Sequence, residues 1–215
     1  MSIFNLPLST IINRSIPKNA FDNYTNSKQK RIMVDLVDKI KWTNKIASET
    51  INLPANDIKE VQIFEIHLKK KEKIKEILDI IDKSIPYHIV FVLIFNENVL
   101  ISTSKKHSHV TNEDIAVIDW NFATEWMNLD IVNYQFNLKQ SVDFIYSNLC
   151  IQLNGGNLEG GNLEVIIAKE SQIKSLKYQI AKLETAIKKN KQFNRKVELN
   201  IELQDKINCL NILKS

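Results

Sequence analysis

The spacing of apolar residues in the first part of the chain predicts two helices. One should follow Asn26 and Ser27, because both are good capping residues and apolar side chains then recur every three or four positions. The other should end before Pro86, which lacks the amide needed to continue a helix. The two apolar stripes are Ile32, Met33, Leu36, Val37 and Ile40, and Ile74, Ile77, Leu78, Ile81 and Ile85.

Other apolar segments in this part of the chain favour strands. Residues 61–68 alternate, residues 89–95 are continuously apolar and so predict a central strand, and the turn at 96–98 leads into a hairpin partner at 99–103. Further strands are expected at 115–120 and near 124–127, before a helix with Leu138, Val142, Ile145, Leu149 and Leu153 on one side. The order predicts an α+β fold, in which helices cover one face of a mixed or antiparallel sheet.

The end of the chain has the apolar spacing of a coiled coil. Steps of three and four residues place five side chains on one seam, and the pattern breaks across residues 188–192 before a new phase begins at Leu199. A helical hairpin that turns near Asn190 explains the break best, although one long helix with a stutter is also compatible. The seam is predicted to bind a protein partner or a second copy; packing on the chain's own body is the alternative. Its residues are Ile173, Leu176, Ile180, Leu183 and Ile187.

All four glycines lie between these two regions. The pentamer Gly-Gly-Asn-Leu-Glu occurs twice in residues 155–164, so residues 154–164 are predicted to be a linker between a body, 1–153, and a helical tail, 165–215. The 154 residues before the first glycine cannot contain a phosphate-binding loop, a dinucleotide-binding turn or a G-x-S-x-G nucleophile elbow. No cofactor is therefore predicted.

Composition and charge narrow the function classes further. The 215 residues are 44% hydrophobic and 25% charged, as in ordinary globular proteins, and the longest apolar run is too short to cross a membrane. The two cysteines cannot form a disulfide framework or a zinc ribbon, and the N-terminus lacks signal-peptide features. We therefore expect a cytoplasmic protein that does not bind membranes.

The positive charge is concentrated in the tail. Residues 169–215 hold 11 Lys and Arg residues but only 5 Asp and Glu residues. Such a segment is either a solvated helical face or a weak nucleic-acid-binding surface. The candidate nucleic-acid-binding residues are Lys188, Lys189, Lys191, Arg195 and Lys196.

The strongest candidates for chemistry are Glu65 and His67. They are two positions apart in a predicted strand, so they share one face and together suit metal binding or proton transfer. Asp57, in a predicted loop, is the upstream acid that a metal-dependent nuclease would need; a structural pair is the alternative. His107 and His109 form a second candidate pair in a predicted loop, but without a third ligand nearby no metal site is predicted.

Several segments together resemble one bacterial family. They are Lys41 to Lys45, Thr50 to Leu53, Val61 to Ile66, Ile85 to Ile89 and, most distinctively, Lys191 to Asn200. In this order they resemble the uncharacterised family called domain of unknown function 4391, over nearly the whole chain. Members tend to be encoded beside restriction-type helicases and DNA methyltransferases, which implies an accessory role in a DNA-targeting or phage-defence system.

The sequence leaves two function classes open. The favoured hypothesis is a non-catalytic adaptor, which binds a helicase or methyltransferase partner through its body and helical tail. The alternative is a metal-dependent nuclease that uses Glu65 and His67.

Overall fold

The computed structural model describes residues 3–109, 112–156 and 163–214. The chain divides into two compact units, Met1–Glu159 and Gly160–Ser215. The first contains a β-sheet with helices, and the second is a pair of helices that pack together.

The sheet of the first unit is mostly antiparallel. Its strands follow one another in the order β1-β2-β3-β4-β5-β6, with β7 also pairing with β5, and only the β3–β4 neighbours run parallel among the described pairs. The strands are β1 (Ile11–Ile16), β2 (Val37–Ala47), β3 (Glu60–Leu68), β4 (His88–Phe95), β5 (Asn98–His109), β6 (Asn112–Ala123) and β7 (Met127–Asn128).

The helices occupy the connections between strands and the C-terminal end of the chain. They are α1 (Ser27–Leu36), α2 (Ser48–Ile51), α3 (Lys75–Lys83), α4 (Val142–Leu153), α5 (Leu163–Lys189) and α6 (Phe193–Lys214). Helix α3 connects the two parallel strands, as a parallel connection requires. Helix α1 begins with a reciprocal capping box, in which the Asn26 side chain accepts from the Gln29 amide and Gln29 accepts from the Asn26 amide.

Helices cover both faces of the sheet. On one face, Ile77 and Ile81 of α3 are buried in a core that includes Phe91 and Leu93 of β4. On the other face, the Tyr146 hydroxyl of α4 lies 3.0 Å from the Thr103 hydroxyl of β5. Thr103 pairs with Val90, and Val90 points to the opposite face of the sheet from its neighbour Phe91. The predicted α+β class is confirmed, while α4 lies opposite α3 rather than on the single predicted face.

Helix α1 ends earlier than its apolar stripe predicted. Val37 and Ile40 belong to strand β2, where they pair with Leu68 and Ile66 of β3 and are almost fully buried. The local spacing is compatible with either a longer α1 or a strand, and the long-range pairing with β3 favours the strand. The sequence prediction also missed β1, and it placed in a loop the histidine segment that forms the end of β5.

The remaining predicted elements of the first unit are present, although Ile85 lies beyond the end of α3 and Leu138 lies before the start of α4. Strands β3 and β4 cover residues 61–68 and 89–95, β4 is central, and the turn before β5 places Asn96 at φ 50°. Helix α3 ends three residues before Pro86, and α4 ends at Leu153.

The second unit is a helical hairpin. Helices α5 and α6 are joined by residues 190–192 and pack along each other, so the hairpin rather than one long helix is confirmed. Helix α5 starts at Leu163, two residues inside the predicted linker. Asn154, Gly155 and Gly156 are exposed, as expected of a linker, whereas residues 157–162 lie outside the described residues.

A carboxylate joins the loop before β3 to helix α4. The Asp143 side chain accepts hydrogen bonds at 2.9 Å from the backbone amides of Asn56, Asp57 and Ile58. Partial burial opposes ionisation of Asp143, but these amides outweigh it and hold its pKa below the usual value. The position of Asp143 in the first turn of α4 adds a favourable helix-dipole interaction.

The Asp143 interaction should make stability depend on pH. The folded-state pKa of Asp143 is lowered, so its hydrogen bonds add to the free energy of unfolding in full above about pH 4, the pKa of an unfolded Asp. This stabilisation is lost as the pH falls through the folded-state pKa. Asp143→Asn should therefore cost roughly 1–2 kcal/mol at pH 7, at the lower end for charged hydrogen bonds because the carboxylate is half exposed. Urea unfolding at pH 7 and pH 3 should show the difference from wild type shrinking at the lower pH. An Asp57→Asn control that behaves identically would contradict this account.

Candidate functional site

Glu65 and His67 lie together on strand β3, as their spacing predicts. Glu65 Oε2 and His67 Nε2 are 3.7 Å apart, and both side chains are half-buried. The register places Lys41 of β2 opposite Glu65 and Lys39 opposite His67. The face therefore mixes one carboxylate with basic groups.

Other potential ligands do not gather around this pair. Asp57 is exposed, and its backbone amide is bound by Asp143. His107 Nδ1 lies 2.9 Å from Asp119 Oδ1 on neighbouring strands β5 and β6. Within residues 3–109, 112–156 and 163–214, no group of three or more His, Cys, Asp or Glu side chains is placed to hold a metal ion. The side chain of His109 lies outside those described.

A buried ion pair joins helix α3 to strand β5. Lys106 Nζ donates to Asp82 Oδ1 at 2.8 Å and to the backbone carbonyls of Asp82 and Ile85 at 2.6 and 2.7 Å, which uses all three ammonium protons. Both side chains are 1% exposed. Burial raises the pKa of Asp82 and lowers that of Lys106, while each partner's charge opposes the shift of the other. This pair fixes the end of α3 to the sheet.

The opposite face holds a second buried polar group. The Tyr146 hydroxyl donates to the Ser104 carbonyl at 2.6 Å, and the Tyr146 ring lies against the His88 ring at 4.5 Å between centroids. Burial lowers the pKa of His88 to about 4 and raises that of Cys150 to about 12. A neutral histidine and a protonated thiol at pH 7 stabilise the core here and do not form a nucleophile–base pair.

The seam of the second unit is oriented as the apolar spacing predicts. Ile173 is buried, and Leu176, Ile180, Leu183 and Ile187 are half-buried. Because α5 and α6 pack along each other, we infer that these side chains contact α6. These five side chains can contact a partner protein, as predicted, only if α5 and α6 separate.

The predicted basic residues cluster at the tip of this hairpin. Lys188 and Lys189 end α5, Lys191 lies in the turn, and Arg195 and Lys196 are in the first turn of α6. Arg195 pairs with Glu198 at 2.6 Å, so part of this charge is compensated. Whether the tip contacts nucleic acid stays a prediction.

Helix α6 exposes a second apolar stripe, which we call the outer face of α6. At 100° per residue its four apolar positions fall within an arc of roughly 100°, well separated from Leu199 and Leu203 on the seam. They are Phe193, Val197, Ile201 and Ile212, with exposed fractions of 78%, 43%, 61% and 73%.

The residues between these apolar side chains carry no charge. The same arc contains Asn194, Gln204, Asn208 and Asn211. A surface rich in apolar groups and depleted of charge has the composition of an interface core. The outer face of α6 is therefore the best candidate for a partner-binding surface on this chain.

The family comparison agrees with the sequence segments noted above. The family model described as Domain of unknown function (DUF4391) matches residues 4–208. The chain belongs to that family. No curated protein and no solved structure matches it.

The match spans both structural units, so in this DUF4391 chain most of the hairpin lies within the part that the family model covers. Over the described part of the chain, the helices are too short or too polar to cross a membrane.

Sequence reasoning missed the outer face of α6 and the Lys106–Asp82 pair. The outer face has apolar residues at 193, 197 and 201, spaced by four, and again at 212, about three turns later; this repeat was the available signal, but it lies outside the a/d spacing of the seam. Lys106 stands in a Lys-Lys-His segment that has the composition of a solvated loop, and only the pairing of β5 places it inside.

Proposed function

We propose that this protein is a non-catalytic adaptor of a bacterial DNA-targeting system, and that the outer face of α6 binds its larger helicase or methyltransferase partner. The observation that supports it most is the exposure of Phe193, Ile201 and Ile212 on a helix whose other side already packs on α5. Large apolar side chains that recur on one exposed helix face, as Phe193, Val197 and Ile201 do at four-residue steps, are unfavourable in water and usually mark an interaction site. The partner class follows from the family resemblance.

The outer face fits a helix-in-groove or helix-on-helix contact. Apolar anchors spaced by four residues along α6 are the pattern with which an amphipathic helix enters an apolar groove. Amide side chains between the anchors form hydrogen bonds at the rim without the desolvation cost of charges. Such a contact leaves the α5–α6 seam closed.

Two charges on the outer face should abolish partner binding. Val197→Asp/Ile201→Asp places carboxylates among apolar anchors, and loss of central anchors weakens an interface by about 2 kcal/mol or more each, over 30-fold per residue. Binding should be measured by pull-down and calorimetry with the helicase and methyltransferase encoded beside the gene. The folded content should not change, because both side chains are exposed.

The matched control carries two charges on the other helix. Ser171→Asp/Thr185→Asp changes exposed positions of α5 and should bind like wild type. Equal binding by the outer-face variant and the control would contradict the proposed surface.

The nuclease alternative has its own test. Glu65 and His67 lie within 3.7 Å of each other, so a metal-dependent activity would depend on the Glu65 carboxylate. If the protein is an adaptor, the purified chain with magnesium or manganese should cleave neither single-stranded nor double-stranded DNA, and Glu65→Gln should change nothing measurable. Metal-dependent cleavage that disappears in Glu65→Gln would reverse the ranking of the two functions.

A further inference from the structure

A pocket of about 240 Å³ opens between helix α3 and the sheet in the first unit. Helix α3 and strand β4 line it with apolar side chains, among them Leu78, Phe91 and Leu93. Strands β5 and β6 line it with Ser102, Ser104 and Asn121. One wall is therefore apolar, and another can form hydrogen bonds.

The Ser102 hydroxyl is the unusual group of this pocket. Ser102 is 8% exposed and lines the pocket, yet its hydroxyl has no hydrogen-bond partner among the described residues. Its neighbours are satisfied: Asn121 Nδ2 donates to Ser104 Oγ at 2.6 Å, and Lys75 Nζ donates to Asn121 Oδ1 at 2.8 Å. Because this hydroxyl faces the open pocket and is not bonded to the described part of the protein, it is free to form a hydrogen bond with a ligand that displaces solvent there.

The mouth of the pocket carries lysines at the start of α3. Lys73 pairs with Glu125 and Lys75 with Asp79, each at 2.8 Å, but both lysines are more than half exposed. Such surface pairs stabilise little, so an incoming anion can replace the carboxylates at small cost. Ile74 gives the helix no side-chain cap, and the amides of the first turn favour negative charge.

We propose that this pocket binds a nucleotide, with the base inside the pocket and the phosphate at Lys73 and Lys75. The volume is below the range of drug-sized sites but suits a single base. A base has apolar faces for Leu78 and Phe91 and a polar edge for Ser102 and Asn121. The nucleotide is either free or part of a single strand. This site is independent of the outer face of α6, so the failure of one proposal leaves the other standing.

Binding should first be measured by calorimetry with the full chain and the common nucleoside monophosphates. At least one should bind saturably below about 1 mM, and about tenfold more tightly than its nucleoside or inorganic phosphate alone. A short single-stranded oligonucleotide that binds more tightly identifies nucleic acid as the source, whereas equal affinity identifies free nucleotide. No saturable binding of any monophosphate would overturn the proposal, as would inorganic phosphate competing as strongly as the nucleotide.

Three variants then locate the site. Ala123→Trp adds bulk at an exposed position of the lining and should abolish binding, whereas Ala181→Trp on α5 should leave it unchanged. Ser102→Ala should weaken binding about fivefold through loss of one hydrogen bond. Lys73→Gln/Lys75→Gln should reduce nucleotide affinity to that of the nucleoside without altering nucleoside binding. Nucleotide binding that survives Ala123→Trp would place the ligand elsewhere and overturn the assignment.

Discussion

Lys106→Met is expected to destabilise the sheet unit by about 3–5 kcal/mol, because it leaves the Asp82 carboxylate buried without its partner. The change also removes the donor to the Ile85 carbonyl at the end of α3. Asp82 Oδ2 already lacks a hydrogen-bond partner among the described residues, so the carboxylate is incompletely satisfied even with the ammonium present. Urea unfolding at pH 7 should show the loss.

The pH dependence of this variant tests the mechanism. Burial raises the folded-state pKa of Asp82, and removing Lys106 raises it further, so the penalty is present above that pKa and declines as the carboxyl is protonated. The destabilisation should therefore be smaller at pH 5 than at pH 7. Lys83→Met, at an exposed position of α3, is the control and should stay within about 0.5 kcal/mol of wild type. A Lys106→Met protein as stable as this control would show that the pair contributes nothing.

Ile180→Asp/Leu183→Asp should unfold the helical hairpin while the sheet unit stays folded. Both side chains lie mid-seam and are half-buried, so each change loses part of the roughly 2–5 kcal/mol that a fully buried Ile or Leu contributes, and a charge placed in the seam adds to that loss. The 27 residues of α5 and 22 of α6 should lose their contribution to the circular dichroism at 222 nm.

The matched control is a variant with two charges on the exposed side of α5, measured by the same circular dichroism experiment. Ser171→Asp/Thr185→Asp adds the same charges at exposed positions of α5 and should keep full helicity. If the seam variant instead keeps its helicity, α5 does not depend on α6. If it abolishes the unfolding transition of the sheet unit, the two units are not independent.

The sequence pattern correctly predicted the elements whose structure depends mainly on residues within or next to them. Residues 89–95 of strand β4 are all apolar, and 89–93 are buried; α3 stops short of Pro86. The break across residues 188–192 predicted the hairpin because a seam cannot continue through five mostly charged residues. Each of these signals is local.

The features that the sequence did not reveal depend on contacts between distant residues. The spacing of Val37 and Ile40 is compatible with a helix, but in the fold they pair with Leu68 and Ile66 of β3. A prediction from local sequence does not include this pairing. Bulges in β2 between Trp42 and Asn44 also interrupt the alternation that signals a strand. The pocket beneath α3 could not be predicted either, because Ser102 and Lys75 are distant in sequence and line one pocket only in the folded chain.

The mass of the complex in solution tests the adaptor account most directly. The purified chain, 24.9 kDa, should be analysed by size-exclusion chromatography with light scattering, alone and mixed with the helicase or the methyltransferase proposed as its partner. We expect one mixture to contain a species with the summed mass, which Val197→Asp/Ile201→Asp abolishes. A wild-type chain that elutes at its own mass in every mixture would contradict the account.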